Sequence, residues 1–276
     1  MLPVILKVGR VEISSMGLML VIGVLLGLFV AWKKAKESHV EDKFFLDTAF
    51  MSLFWGLVGA RVGYILTHFG EFGFSLLKWL WLSNYVGLCW WGGLIAGVGY
   101  LWWRLRESEE DVFLWLAYVR LGGAAALSGG FLAGVFKGIF FRAKTQGWWG
   151  VNFPGYEMKL VPVQLIMLVI SSVFFWWWWR MEGEYRTLSW YRAGRVAART
   201  GFLWFGWLVF LGLSFSVASL FRGEQTQVFG VALDIIMGLL LLSTGVMGIY
   251  QRSGRRFWED ISRLKRRKVR QETFKK

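Results

Sequence analysis

Apolar runs of about 18 residues or more recur along this chain, each long enough to cross a hydrocarbon layer about 30 Å thick. They are apolar all round rather than on one face, which implies lipid contact or deep burial. In lipid, backbone polar groups must be satisfied within the segment, so the runs are read as helices. Composition agrees. Of 276 residues, 56% are hydrophobic, and 19 Trp and 24 Phe exceed what a soluble core of this size encloses.

The runs predict seven spans, at about Ile13–Trp32, Phe44–Thr67, Tyr85–Trp103, Val112–Phe131, Val163–Trp179, Gly201–Phe221 and Phe229–Tyr250. Glycines at 122, 123, 129, 130 and 134 predict a break in the fourth, with a continuation toward Phe141. Phe72–Leu82 is short and aromatic and reads as an interfacial segment. The expected fold class is therefore an all-α integral membrane protein, a seven-transmembrane-helix bundle over residues 1–250. Residues 251–276 form a basic tail, read either as a helix on anionic lipid or as a solvated segment that enforces topology.

The formal net charge of +14 would suggest nucleic acid in a soluble protein. Here the positive residues sit in alternate loops and in the tail, which argues for membrane orientation and against a nucleic-acid partner. Lys33, Lys34, Lys36 and Lys43 follow the first span, Arg104 and Arg106 the third, and Arg180 to Arg199 the fifth. The positive-inside bias places the N-terminus outside and the C-terminus in the cytoplasm. Trp pairs at span ends, such as Trp102 with Trp103 and Trp148 with Trp149, read as interfacial anchors. The single cysteine, Cys89, excludes an internal disulfide, and two histidines exclude a histidine-rich metal site. The first run is too long for a signal-peptide core and ends in lysines, so it reads as a retained helix.

Ionisable groups within spans are costly and tend to be functional. Arg61, in Gly59-Ala60-Arg61-Val62-Gly63-Tyr64, is the foremost candidate. Its planar fork suits a phosphate, and the small residues around it let a neighbouring helix approach. Arg120 is read as a structural bridge to Asp47 or Asp234. Lys137 and Arg222 near span ends are snorkelling anchors or headgroup ligands. Gln164 can hydrogen-bond a headgroup or a neighbouring helix. Gly92 and Gly93 on the third span, with the glycines of the fourth, suggest close packing or a lipid-sized groove. His68, at the outer end of the second span, is the one candidate base.

These segments resemble the bacterial prolipoprotein diacylglyceryl transferases over nearly the whole chain to about Tyr250. Met16-Gly17-Leu18-Met19 is similar to the start of the family's first helix. Gly59-Ala60-Arg61-Val62-Gly63-Tyr64 matches its glycine-arginine-glycine-tyrosine segment. Trp91-Gly92-Gly93-Leu94 resembles its histidine-glycine-glycine-leucine, and Val161-Pro162-Val163-Gln164-Leu165 its histidine-proline-serine-glutamine-leucine. Ala126 to Gly138 falls on its glycine-arginine-leucine-glycine-asparagine-phenylalanine signature, and Gly201 to Arg222 on its sixth span. The departures are specific. Trp91 stands for the family's histidine, Leu127 for the signature arginine, Gly130 for the asparagine and Val135 for an acidic residue. Phe215 and Ser219 stand for an arginine and a glutamate, and Met16 for a tyrosine.

The resemblance implies transfer of a diacylglyceryl group from phosphatidylglycerol to a lipoprotein cysteine, in the bacterial cytoplasmic membrane and with no cofactor. It implies lipid or phosphate contacts at Arg61, Tyr64, Gly92, Gly93, Gln164 and Arg222. Phosphatidylglycerol and a prolipoprotein signal segment would be the partners. Two alternatives stand beside it: an inactive relative that binds lipid or lipoprotein signal segments, and a small-molecule transporter.

Overall fold

The computed structural model describes residues 4–8, 11–80, 87–137, 147, 150–151, 159–186, 201–221, 227–228 and 230–252. A hairpin of β1 (Val4–Val8) and β2 (Val11–Ser14) leads into α1 (Ser15–Glu37) and α2 (Asp42–Thr67). The short helices α3 (Phe69–Phe72) and α4 (Leu76–Leu80) precede α5 (Trp90–Glu107) and α6 (Val112–Lys137). Then come α7 (Val163–Arg186), α8 (Phe202–Leu220), the two-residue strands β3 (Gln227–Val228) and β4 (Val231–Ala232), and α9 (Leu233–Arg252). Arg222 and the tail 253–276 lie outside the described residues.

Among the described residues, six helices are long and apolar enough to cross a membrane: α1, α2, α6, α7, α8 and α9. The chain is a helical integral membrane protein. The expected third span, α5, is 18 residues long and carries Arg104, Arg106 and Glu107 at its end. Its start differs from the sequence reading, because residues 87–89 are not helical and Cys89 donates its N–H to the Ala60 carbonyl at 2.8 Å. The first helix begins at Ser15 rather than Ile13. Ser14 caps it, its hydroxyl accepting from the Gly17 N–H at 3.1 Å, and the preceding residues pair as a strand.

The predicted break in the fourth span does not occur: α6 runs unbroken to Lys137. Its glycines serve close approach instead. Gly122 and Gly129 face α1, where a Cβ on Gly27 would stand 2.6 Å from the Gly122 carbonyl oxygen and one on Gly23 2.9 Å from the Gly129 Cα. Such backbone-to-backbone contact replaces the hydrophobic drive that helices in lipid lack.

Helix α2 packs along α5 by the same device. Gly93 meets Gly56, Gly97 meets Ser52 and Gly56, and Gly59 meets Gly92. The two seams are copies. Each residue of one has its counterpart 70 positions along: Gly23 and Gly93, Gly27 and Gly97, Ser52 and Gly122, Gly56 and Ala126, Gly59 and Gly129. The turns repeat too. Lys34 pairs with Glu37 at 2.9 Å, and Arg104 with Glu107 at 3.1 Å. The Ser38 hydroxyl donates to the Lys34 carbonyl, and that of Ser108 to the Arg104 carbonyl. His39 and Glu109 both take positive φ, 61° and 58°. The hairpins α1–α2 and α5–α6 are thus two copies of one unit, each helix pairing with the opposite member of the other copy. That reciprocity is a pseudo-two-fold. It passes between the counterparts Phe45 and Trp115, whose rings stack at 5.6 Å. Helices α7 and α8 then pack on α6, and α9 on α8.

Gly59→Ala would force a Cβ to 2.6 Å from the Gly92 carbonyl oxygen. It is expected to destabilise the bundle by about 1–3 kcal/mol. Gly99→Ala, which meets nothing within 4 Å, is expected to be neutral or mildly stabilising. Denaturant titration of both variants in micelles, followed by circular dichroism, checks the contrast.

Candidate functional site

One end of the bundle gathers the C-terminal parts of α2, α6 and α8 with the N-terminal parts of α5, α7 and α9. Arg61 lies there, one turn and a half before α2 ends, and is 9% exposed. Its Nε donates to the Trp79 carbonyl at 2.9 Å, one terminal nitrogen to Gly87 at 3.1 Å and the other to Lys78 at 3.2 Å. The guanidinium also lies 5.2 Å over the Phe72 ring. A planar fork can serve several carbonyls of a returning chain at once, which an ammonium cannot do with the same geometry. Arg61 therefore ties α4 and the lead-in to α5 across this end. Tyr64, one turn on, lies flat against Gly87, where any side chain would overlap its ring. The segment that Arg61 holds exposes Phe74 (87%) and Leu77 (73%).

His68 stacks on Tyr64 at 4.2 Å. Its Nδ1 lies 3.0 Å from the Thr67 hydroxyl and 3.2 Å from the Tyr64 carbonyl. The Thr67 hydroxyl and the Tyr64 carbonyl thus hold the ring in place through Nδ1, in roles that the tautomer sets. Gly92 and Gly93 sit on the α2–α5 seam, against Gly59 and Gly56. The structure thereby brings Arg61, Tyr64, Gly92 and Gly93 together. Gln164 belongs to the first turn of α7 and faces Gly134 of α6. It is 4% exposed, and its Oε1 has no hydrogen-bond partner among the described residues. A buried amide oxygen in that state is a group a ligand can satisfy.

A second cluster was not anticipated. Trp90 and Trp91 open α5, and their indole N–H groups donate to one oxygen of Asp234, at 3.3 and 2.9 Å. Asp234 stands in the first turn of α9, where the helix dipole favours an acid. Phe215 of α8 packs on Trp90 at 4.0 Å, and Phe131 of α6 lies 6.2 Å from Phe215. Four helices thus meet here, three through tilted ring contacts and the fourth through the Asp234 carboxylate. Trp91 and Phe215 are both positions where polar residues were expected from the resemblance, and they lie 6.0 Å apart. The sequence signal was present in Trp90-Trp91 before the glycine pair and in an acid at the head of an apolar run. Nothing in the sequence joined the two, since 143 residues separate Trp91 from Asp234.

Arg120 occupies the other half of α6, fully buried and 5.1 Å over the Trp178 ring. Its two expected partners sit elsewhere: Asp47 is exposed and Asp234 holds the indoles.

The sequence model described as prolipoprotein diacylglyceryl transferase matches residues 3–251. The chain belongs to this family. Among curated relatives, the phosphatidylglycerol–prolipoprotein diacylglyceryl transferase of Deinococcus radiodurans is 31% identical over 151 residues, covering 53% of this chain and 44% of that one. The protein of the same name from Pseudoalteromonas atlantica is 26% identical over 184 residues, 60% of this chain and 64% of its own. That of Streptococcus sanguinis is 29% identical over 119 residues, 42% and 46%. The chain spans about half the length of the curated relatives it matches.

Arg61→Lys is expected to loosen the strap nearly as much as Arg61→Ala, because one ammonium cannot hold three carbonyls in that geometry. Limited proteolysis between Lys78 and Gly87 should rise in both. Asp234→Ala leaves two buried indole donors unmet and should cost about 1–3 kcal/mol, read as a lowered unfolding midpoint. Asp234→Asn, which keeps an acceptor, should cost less.

Proposed function

We propose that the chain is a phosphatidylglycerol–prolipoprotein diacylglyceryl transferase of the bacterial cytoplasmic membrane. The family match over residues 3–251 carries this reading, and the names of the relatives supply its substrates. The reaction forms a bond between the cysteine sulfur and the glyceryl carbon that bears the phosphate. The carbon–oxygen bond to the phosphate breaks, and glycerol phosphate leaves with the electron pair. A free thiol of pKa about 8.5 is only a few per cent ionised at neutral pH, so a base helps but is not indispensable.

His68 is the proposed base. Thr67 and Tyr64 fix its ring. Arg61 acts by holding the strap over the site, and its positive charge lies beside the place proposed for the phosphate. Tyr64, Gly92 and Gly93 form the wall next to it. Gln164 offers its buried amide oxygen to a headgroup hydroxyl. Arg222 is assigned to the phosphate by resemblance alone.

In this reading α5 is the third of seven spans. The end that carries the site faces outward, and the end carrying Lys33, Lys36, Arg104, Arg106 and Arg252 faces the cytoplasm. The signal segment of the lipoprotein reaches the site from the outer leaflet.

One observation favours a second reading, a non-catalytic relative that binds phosphatidylglycerol or signal segments. Trp91 and Phe215 are packed together as an apolar cluster where the family resemblance calls for charged groups. Expression in cells depleted of their own transferase separates the two, with lipoprotein modification read by mass shift. Restored modification, slowed by about 10- to 30-fold at neutral pH in His68→Ala, is the outcome for the transferase. No modification, with phosphatidylglycerol still retained by the purified protein, is the outcome for the binding role. A reporter active only when exported, fused after Lys276, is expected to stay silent.

A further inference from the structure

Residues 87–89 form the non-helical lead-in to α5. Non-helical backbone in a membrane protein persists only where protein groups or water satisfy it. Helix α2 supplies two such groups. Arg61 donates to the Gly87 carbonyl at 3.1 Å, and the Ala60 carbonyl accepts from the Cys89 N–H at 2.8 Å. Helix α9 holds the next two residues, one oxygen of Asp234 accepting from the Trp90 and Trp91 indoles at 3.3 and 2.9 Å. The head of α5 is thus gripped by α2 and by α9. Contacts continue from there to the candidate base. The Tyr64 ring lies on Gly87, where no side chain would fit. His68 stacks on that ring at 4.2 Å, and its Nδ1 lies 3.2 Å from the Tyr64 carbonyl. A shift of Gly87 therefore passes to Tyr64 and to His68 by direct contact.

From this continuity we infer that Asp234 is a positioning residue for the transfer reaction: it fixes the head of α5, and through Gly87 it sets Tyr64 and the His68 ring. The effect on catalysis rests on the transferase reading, whereas the clasp itself does not. Asp234 suits this part. Hydrogen bonds to a carboxylate are about twice as strong as neutral ones. Consecutive residues leave a helix axis about 100° apart. Two neighbouring indoles that reach one oxygen therefore fix the rotation of α5 as well as its height.

The single cysteine is a built-in reporter of the lead-in. Cys89 is free and half-buried, its Sγ 3.6 Å from where a Cβ on Gly63 would stand. Maleimide labelling of the full chain in micelles reads the clasp without any transfer activity. Asp234→Ala is expected to raise the labelling rate about tenfold, the rise in local opening that follows loss of a buried hydrogen bond. Asp234→Asn, which keeps an acceptor, should stay within about threefold of wild type. Gly99→Ala, in the same helix but away from the clasp, is expected to label as wild type does. Circular dichroism confirms helix content. Trp91→Phe, which removes the nearer donor and keeps a ring, replaces Asp234→Ala if that variant unfolds. Labelling of Asp234→Ala at the wild-type rate overturns the proposal, and so does Asp234→Asn as labile as Asp234→Ala. Transfer by the purified protein tests the catalytic part. In Asp234→Ala, kcat per folded molecule should fall about tenfold, with KM for phosphatidylglycerol within about twofold, and Asp234→Asn should restore most of the loss. Added to His68→Ala, the same change should slow transfer by less than about twofold, because residues acting through one group are not additive. An unchanged kcat per folded molecule overturns the positioning role. A wild type that transfers nothing overturns the transferase reading and the catalytic part with it, while the labelling still decides the clasp.

Discussion

The approach of glycine to glycine along two helix seams is the contact on which the rest of this structure depends. Lipid tails are as apolar as leucine, so burying leucine between helices in a membrane gains little. What remains is van der Waals packing at short range, and that requires backbones that touch. Gly23 and Gly27 on α1 with Gly122 and Gly129 on α6 supply it once. Gly93 and Gly97 on α5 with Gly56 and Gly59 on α2 supply it again. Core side chains such as Trp115, Tyr118 and Leu121 then fill the space between the seams. Removing either seam would separate a hairpin from its copy.

The seams also position chemistry. Because α2 lies so close to α5, the residues just beyond the seam face each other. Arg61 reaches the backbone at Gly87, and Tyr64 rests on that same glycine. Trp90 and Trp91 at the head of α5 are carried to Asp234 at the head of α9. One end thus holds a guanidinium, an imidazole, a carboxylate and a buried amide oxygen. The opposite end is basic and structural. Its cations lie over aromatic rings, as Lys34 does over Trp179 at 4.6 Å and Arg252 over Phe113 at 3.6 Å.

Family membership and local chemistry bear differently on function. Residues 3–251 match the family. Trp91 and Phe215, two positions where the resemblance implies polar residues, lie edge to face 6.0 Å apart. Both belong to a packed unit that α8 and α9 complete around Asp234. A charged residue placed at either position would stand among aromatic rings.

Six long apolar helices were legible in the sequence, because apolar length acts locally and needs no knowledge of neighbours. Helix ends were less so. Ser14 capping α1 and Cys89 binding Ala60 are decided by turn geometry and by a second helix. The glycines of the fourth span illustrate the limit. A glycine run reads as a break from sequence alone, and only the presence of α1 opposite Gly122 and Gly129 turns it into a packing face. Arg61 was visible as a costly buried charge, yet its three carbonyl partners come from a returning strap that the sequence does not place. The pairing of Trp91 with Asp234 and the two-fold relation of the hairpins are tertiary facts. Each depends on which helix stands beside which, and in a membrane that choice is made by shape complementarity between whole surfaces rather than by the local pattern of any one segment.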